Sequence, residues 1–175
     1  MKTIRKISLF VIYTSVLLMF FNTNTKAQYL TKEKLTFFAT ALAYSFIEGY
    51  TEGYMAKEKL ESDPAKRLQY NQKWHKLKGF REISTIGTGV AISLDSEFDP
   101  LKLMSNLFVT ASFYWLIHDE LINRVNGWDH IPFGYTSKSA GGSFDNGSFM
   151  DQFANPYFKV LSILLSLTIN ILISG

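Results

Sequence analysis

A chain of 175 residues makes one domain the natural expectation. With 47% hydrophobic and 15% aromatic residues it is too apolar for a disordered chain, and with no cysteine it has neither a disulfide framework nor a thiolate metal site. The net charge of +3 does not indicate nucleic acid: four of the 18 bases (Lys2, Arg5, Lys6, Lys26) stand in the first 27 positions without an acid, leaving 14 bases against 15 acids in the rest.

Residues 1–27 have the three parts of a secretory signal peptide. Lys2, Arg5 and Lys6 form a basic start, Ile7 to Phe21 an apolar run, and Thr25 and Ala27 occupy the −3 and −1 positions of a cleavage site. The alternative is an uncleaved anchor helix, but the run is short of the ~20 apolar residues that span comfortably. The Ala27-Gln28 junction resembles that of exported Bacteroidetes proteins. The mature part, 28–175, is then a single helical membrane domain.

Residues 32–60 read as a helix capped by Thr31, apolar from Leu35 to Ile47 and continuing into the repeat Glu-Gly-Tyr-Thr-Glu-Gly-Tyr at 48–54. Its two glycines each cost ~1 kcal/mol relative to alanine, which close approach of a neighbouring helix would offset. Asp63-Pro64 ends this first helix or starts a new one, residues 64–78 read as a polar, basic, solvated or interfacial helix, and Gly79 marks a break. Residues 80–94, with Ile83, Ile86, Gly87, Gly89, Val90, Ile92 and Leu94, read as a helix built to pack closely, a packed or partial element, with a strand also compatible with the period. Asp99-Pro100 starts the clearest internal helix, 101–125, which has no charge between Lys102 and Asp119. Asn126-Gly127 is a turn, and 126–156 is loop-like and rich in Gly, Ser and Asn. Asn155-Pro156 opens a last helix whose apolar part carries only Ser, Thr and Asn as polar residues.

These segments predict an all-α fold, a small helical membrane bundle of about three spans plus interfacial helices, since a soluble bundle shows a polar face along every helix. Positive charge stays on the cytoplasmic side of an inner membrane. Residues 57–81 carry eight bases and three acids, residues 95–151 three bases and eight acids. Helix 35–55 then runs inward, the basic segment lies inside, helix 101–122 runs outward, the acidic loop lies outside and helix 157–174 returns; were 82–94 also to span, the acidic loop would move inside, which the charge bias disfavours.

Candidate chemistry rests on few residues. Glu48 and Glu52 share a helix face, and His118-Asp119 end the internal apolar helix. Together with His75 they form a candidate acid/base site (Glu48, Glu52, His75, His118, Asp119). Glu48, Glu52, His75 and His118 are candidate ligands for a divalent metal. The plainer reading has them capping spans at the water interface, with Glu48 and Glu52 paired to lysines such as Lys57. Trp128-Asp129-His130 and the Gly-rich loop are a candidate surface for another envelope protein, or a connector. The basic segment beside membrane helices sets topology or contacts anionic headgroups; nucleic acid is not expected.

Lys73-Trp74-His75, with Asp99 and Asn106 downstream, resembles small envelope proteins of the VanZ and YfiM type, although here an acidic helix precedes the histidine. The layout also resembles uncharacterised small helical membrane proteins of Bacteroidetes. The resemblances imply an envelope location and no mechanism. The leading expectation is a structural or interaction component bound to the lipid bilayer; the alternatives are a membrane-embedded metal-dependent hydrolase or acid/base enzyme, and a secreted helical binding protein.

Overall fold

A computed structural model describes residues 31–129, 132–133 and 155–174. The leader, His130 and the Gly/Ser-rich stretch lie outside the described residues. Four helices are described: α1 (Lys32–Leu60), α2 (Pro64–Ser96), α3 (Pro100–Asn126) and α4 (Pro156–Ser174). The fold is all-α, as expected.

The helix starts follow local chemistry. Thr31 accepts a hydrogen bond from the Lys34 amide, and Asp63 and Asp99 each accept from the first-turn amides behind a proline whose missing N–H leaves no orphan. Asn155 does the same for Tyr157 and Phe158. α3 ends at Gly127, whose φ of 68° is the left-handed conformation that closes a helix.

Two expectations are corrected. Gly79 does not break the chain: α2 runs unbroken for 33 residues, and the stretch 80–94 is its second half. The less exposed positions of α2 (Tyr70, Trp74, Leu77, Arg81, Ser84, Thr88, Ala91, Asp95) repeat at alternating steps of four and three, the spacing of a continuous seam against one neighbour. Packing of that seam on α1 outweighs the ~1 kcal/mol that a helical glycine costs. Nor do Gly87 and Gly89 serve close packing, since a Cβ added at either would meet nothing within 4 Å.

The second correction concerns direction. Because α2 returns along the length of α1, α3 starts beside the start of α1 and runs the same way. Asn106 reaches Asp95, which pairs with Lys34, whereas His118 reaches Glu52. The basic hairpin between α1 and α2 and the end of α3 therefore share one end of the bundle, where Lys57 Nζ donates to the Val125 carbonyl and Asn126 to that of Gly53. The charge pattern alone predicts the basic segment and the acidic loop at opposite ends.

The core is small: Phe37, Ala41, Ala91, Ile92, Val109, Phe113 and Leu167 form one cluster, Leu116, Ile117 and Leu121 a second. Much of the remaining interior is polar. Ser45, Thr51, Ser105, Asn106, Ser112, Asn123, Lys159, Ser166 and Asn170 are all buried, while Leu42, Phe46, Ile83, Ile86, Val90, Leu94, Met104, Leu107, Phe108, Leu161, Leu164 and Leu165 are exposed.

Candidate functional site

Gly49 and Gly53 bring α1 and α3 together. A Cβ on Gly49 would stand 3.0 Å from Leu121 Cβ and 3.2 Å from His118 Cα, and one on Gly53 3.0 Å from Val125 Cβ. The close approach that the repeat at 48–54 led us to expect is thus present. It lays the start of the last turns of α3 against α1, and His118 Nε2 comes to 2.9 Å from Glu52 Oε2. The other ring nitrogen, Nδ1, faces Asp119 Oδ1 at 3.2 Å. Carboxylate oxygens only accept, so the ring serves both only when both nitrogens carry protons.

The chain of charges continues on both sides. Asp119 Oδ2 accepts from Lys159 Nζ of α4, a lysine with no exposed surface that also lies 5.9 Å from the Trp115 ring. On the α2 side, Arg81 Nε lies 3.5 Å from Glu48 Oε2, and Glu48 and Glu52 are close enough to feel each other's charge. Three acids (Glu48, Glu52, Asp119) thus meet three cations (Arg81, His118, Lys159), one or more from each helix. Tyr44 stacks on Tyr114 and Tyr114 on His118, at 6.1 and 4.6 Å between ring centroids, which closes the cluster on its apolar side. Glu48 Oε2 is buried and accepts no hydrogen bond.

A second polar cluster sits at the other end. Lys34 Nζ donates to Asp95 Oδ2 (2.8 Å) and Asn170 Oδ1 (2.9 Å), Asn106 Nδ2 to Asp95 Oδ2 (2.9 Å), and Asn170 Nδ2 to Asn106 Oδ1 (2.7 Å) and Ser105 Oγ (2.9 Å). Again all four helices contribute. Between the clusters, Ser112 and Ser162 hydroxyls meet at 2.7 Å across α3 and α4. Ser105, Ser112 and Asp119 are seven apart, so the contact of α3 with α4 is a polar seam with heptad spacing.

Of the sequence-expected site residues, Glu52, His118 and Asp119 are brought together and Glu48 lies beside them. His75 is not part of the cluster: it is exposed on α2 and stacks on Trp74, whose Nε1 donates to Glu58 at 2.5 Å. Among the described residues no group of three or more His, Cys, Asp or Glu side chains is placed to hold a metal, so the four-ligand divalent site is not assembled. Both nitrogens of His118 are already engaged by carboxylates, which removes the lone pair a metal needs. Nor does Lys57 pair with Glu48 or Glu52; it is spent on the Val125 carbonyl and lies over the Tyr70 ring. The residues of the Lys73-Trp74-His75 stretch and Asp99 with Asn106 fall at opposite ends of the bundle, and Asp99 caps α3. Sequence reasoning missed Lys34, Arg81, Asp95, Lys159 and Asn170 as members. The signal for Lys159 and Asn170 was there: a single charge and a single amide in an otherwise apolar helix.

Comparison with protein-family models, with curated proteins and with solved structures finds no match.

Proposed function

We propose that the protein is a polytopic membrane protein with a structural or interaction role, its four helices held in lipid by interior ion pairs and amides. One observation carries this reading: between its two polar clusters the bundle has a largely apolar exterior, while charged side chains are buried inside it. In water, exposing Ile83, Ile86, Val90 and Leu94 on one helix face while burying Lys34, Asp95 and Lys159 has the wrong sign on both counts. In hydrocarbon both become favourable, because buried polar groups join helices where apolar contact alone gives no drive. The segment Pro156–Ile173 is long and apolar enough to cross a membrane and is only 22% buried in the bundle; it is the one such helix among the described residues. The other three reach the same depth as parts of longer amphipathic helices. On α3 the apolar exterior from Leu101 to the His118 level extends about 26 Å, near the ~30 Å of a hydrocarbon core.

This reading has four crossings rather than three, with the basic hairpin on the cytoplasmic side of an inner membrane. Its test is fractionation: the processed chain stays with membranes through a carbonate wash and enters the detergent phase on cloud-point separation. Recovery in the aqueous fraction in both assays defeats it and favours a secreted helical protein.

A second reading, an acid/base enzyme, is favoured by Glu48 Oε2, a buried carboxylate oxygen that accepts no hydrogen bond, with the Arg81 guanidinium 3.5 Å away and Glu52 and His118 beside it. A substrate hydroxyl or water could donate there. Detergent-purified protein screened for ester and amide hydrolysis, with Glu48→Ala and His118→Ala alongside, tests it. No activity, or activity indifferent to both changes, removes it.

A further inference from the structure

We propose that Lys76 and Lys78 bind the phosphate of anionic lipid headgroups at the charged-cluster end of the bundle. The inference rests on the membrane reading and adds to it a place and a lipid class. The level of the boundary is marked on every helix. Glu48 and Arg81, Gly49 and His118, and Asp119 and Lys159 lie against one another, so residues near 50, 80, 120 and 158 share one height. At that height Tyr50, Phe80 and Tyr157 are exposed, an aromatic ring of the kind that sits between hydrocarbon and water. Phe80 is also where the apolar outer face of α2 stops.

Lys78 and Lys76 precede Phe80 by two and four residues, hence lie about 3 and 6 Å further towards the hairpin along the axis. The headgroup layer is itself about 5–7 Å thick on each side. Both lysines are exposed and neither has an ion-pair partner among the described residues. Three other cations at this height are engaged. Arg81 faces Glu48, Lys159 is buried on Asp119, and Arg124 is paired with Glu120 at 2.5 Å. Exposed Glu82 lies on the apolar side of Phe80. Lys66 and Arg67 are exposed as well, but about 20 Å beyond Phe80. That is more than twice the ~8 Å screening length at physiological salt, so they stand clear of the headgroups.

The full chain is reconstituted into vesicles of phosphatidylcholine alone and of equal parts phosphatidylcholine and phosphatidylglycerol. After mild detergent extraction the lipid retained on the protein is quantified. Flotation with neutral vesicles is expected for an integral protein, and failure to float there overturns the membrane reading itself. Given flotation, the retained lipid is enriched in phosphatidylglycerol by roughly fivefold or more, from the attraction of each lysine to an anionic surface. The enrichment falls towards one in Lys76→Gln/Lys78→Gln and persists in Lys66→Gln/Arg67→Gln, which removes the same charge farther out. Inorganic phosphate at constant ionic strength leaves it unchanged. A floating protein without enrichment, equal loss in both double variants, or displacement by inorganic phosphate each overturns the assignment. The first of these leaves the hairpin to an acidic macromolecule, and the last points to a site for free phosphate.

Discussion

Lys159 is the residue with most to lose from a single change. Its ammonium is fully buried, and Asp119 is its anionic partner. Burying a charge is tolerable when it is paired and costly when it is stranded. Asp119→Ala removes the partner, takes one of the two acceptors from His118, and should destabilise the bundle by about 3–5 kcal/mol. Replacing the pair together, Asp119→Ala/Lys159→Met, removes the stranded charge and should recover most of that loss, because a buried ion pair is worth little against an apolar pair of similar volume. Equilibrium unfolding of the purified protein in mild detergent measures both. A double variant as unstable as the single one would mean that Lys159 serves something other than its partner. The same logic applies at the opposite end, where Lys34 and Asp95 are buried together. Asp95→Ala is expected to cost more than Lys102→Ala, whose partner Glu97 is well exposed and whose ion pair contributes ~1 kcal/mol or less.

At the scale of elements, the helix ends were legible in the sequence because they are local: Thr31, Asp63, Asp99, Asn155 and Gly127 act through bonds to amides and carbonyls a few residues away. The course of α2 was not. Its seam against α1 is made of Arg81, Ser84, Thr88, Ala91 and Asp95, while Ile83, Ile86, Val90 and Leu94 point outward. Hydrophobic periodicity finds the apolar face of a helix, and here that face is the exposed one, so the packing face is not the one the pattern predicts. The candidate site was half legible for a related reason. Glu48 and Glu52 betray a shared face by their spacing, but only the return of α2 brings Arg81 to Glu48, and only the direction of α3 brings His118 to Glu52. The glycines separate the two kinds of helix surface in a testable way. Gly49→Ala puts a methyl against Leu121 and the His118 backbone, and overpacking of this kind costs about 1–3 kcal/mol. Gly89→Ala meets nothing within 4 Å and should gain up to ~1 kcal/mol from helix propensity. Thermal unfolding midpoints of the two variants should move in opposite directions. A downward shift for Gly89→Ala would indicate that the outer face of α2 is covered by another protein surface.

For the whole molecule, the two end clusters and the apolar zone between them make a single statement about orientation. Lys34 and Asp95 are 14 and 14 residues from Glu48 and Arg81 along α1 and α2, a rise of about 21 Å on each. In a bilayer, as proposed, both helices would cross the same slab, and α3 and α4 would bring the crossings to an even number. The start of α1, the turn joining α2 to α3 and the end of α4 lie on one side; the α1–α2 hairpin and the end of α3 lie on the other. Positive charge in the hairpin favours the cytoplasm for the second side. The absence of native cysteine makes this measurable without background. Single replacements Ser62→Cys and Asp129→Cys should both be shielded from an impermeant thiol reagent in intact cells and react in inverted vesicles. Glu97→Cys should behave in the opposite way. Each site is at a helix end, so labelling reports side rather than depth. Had the basic hairpin and the segment after α3 been separated by an odd number of crossings, Ser62→Cys and Asp129→Cys would label from opposite sides, and the return of α2 along α1 would be wrong. If all three react from outside without disruption of the cells, the bundle does not cross the membrane, and its apolar exterior must be covered by another protein.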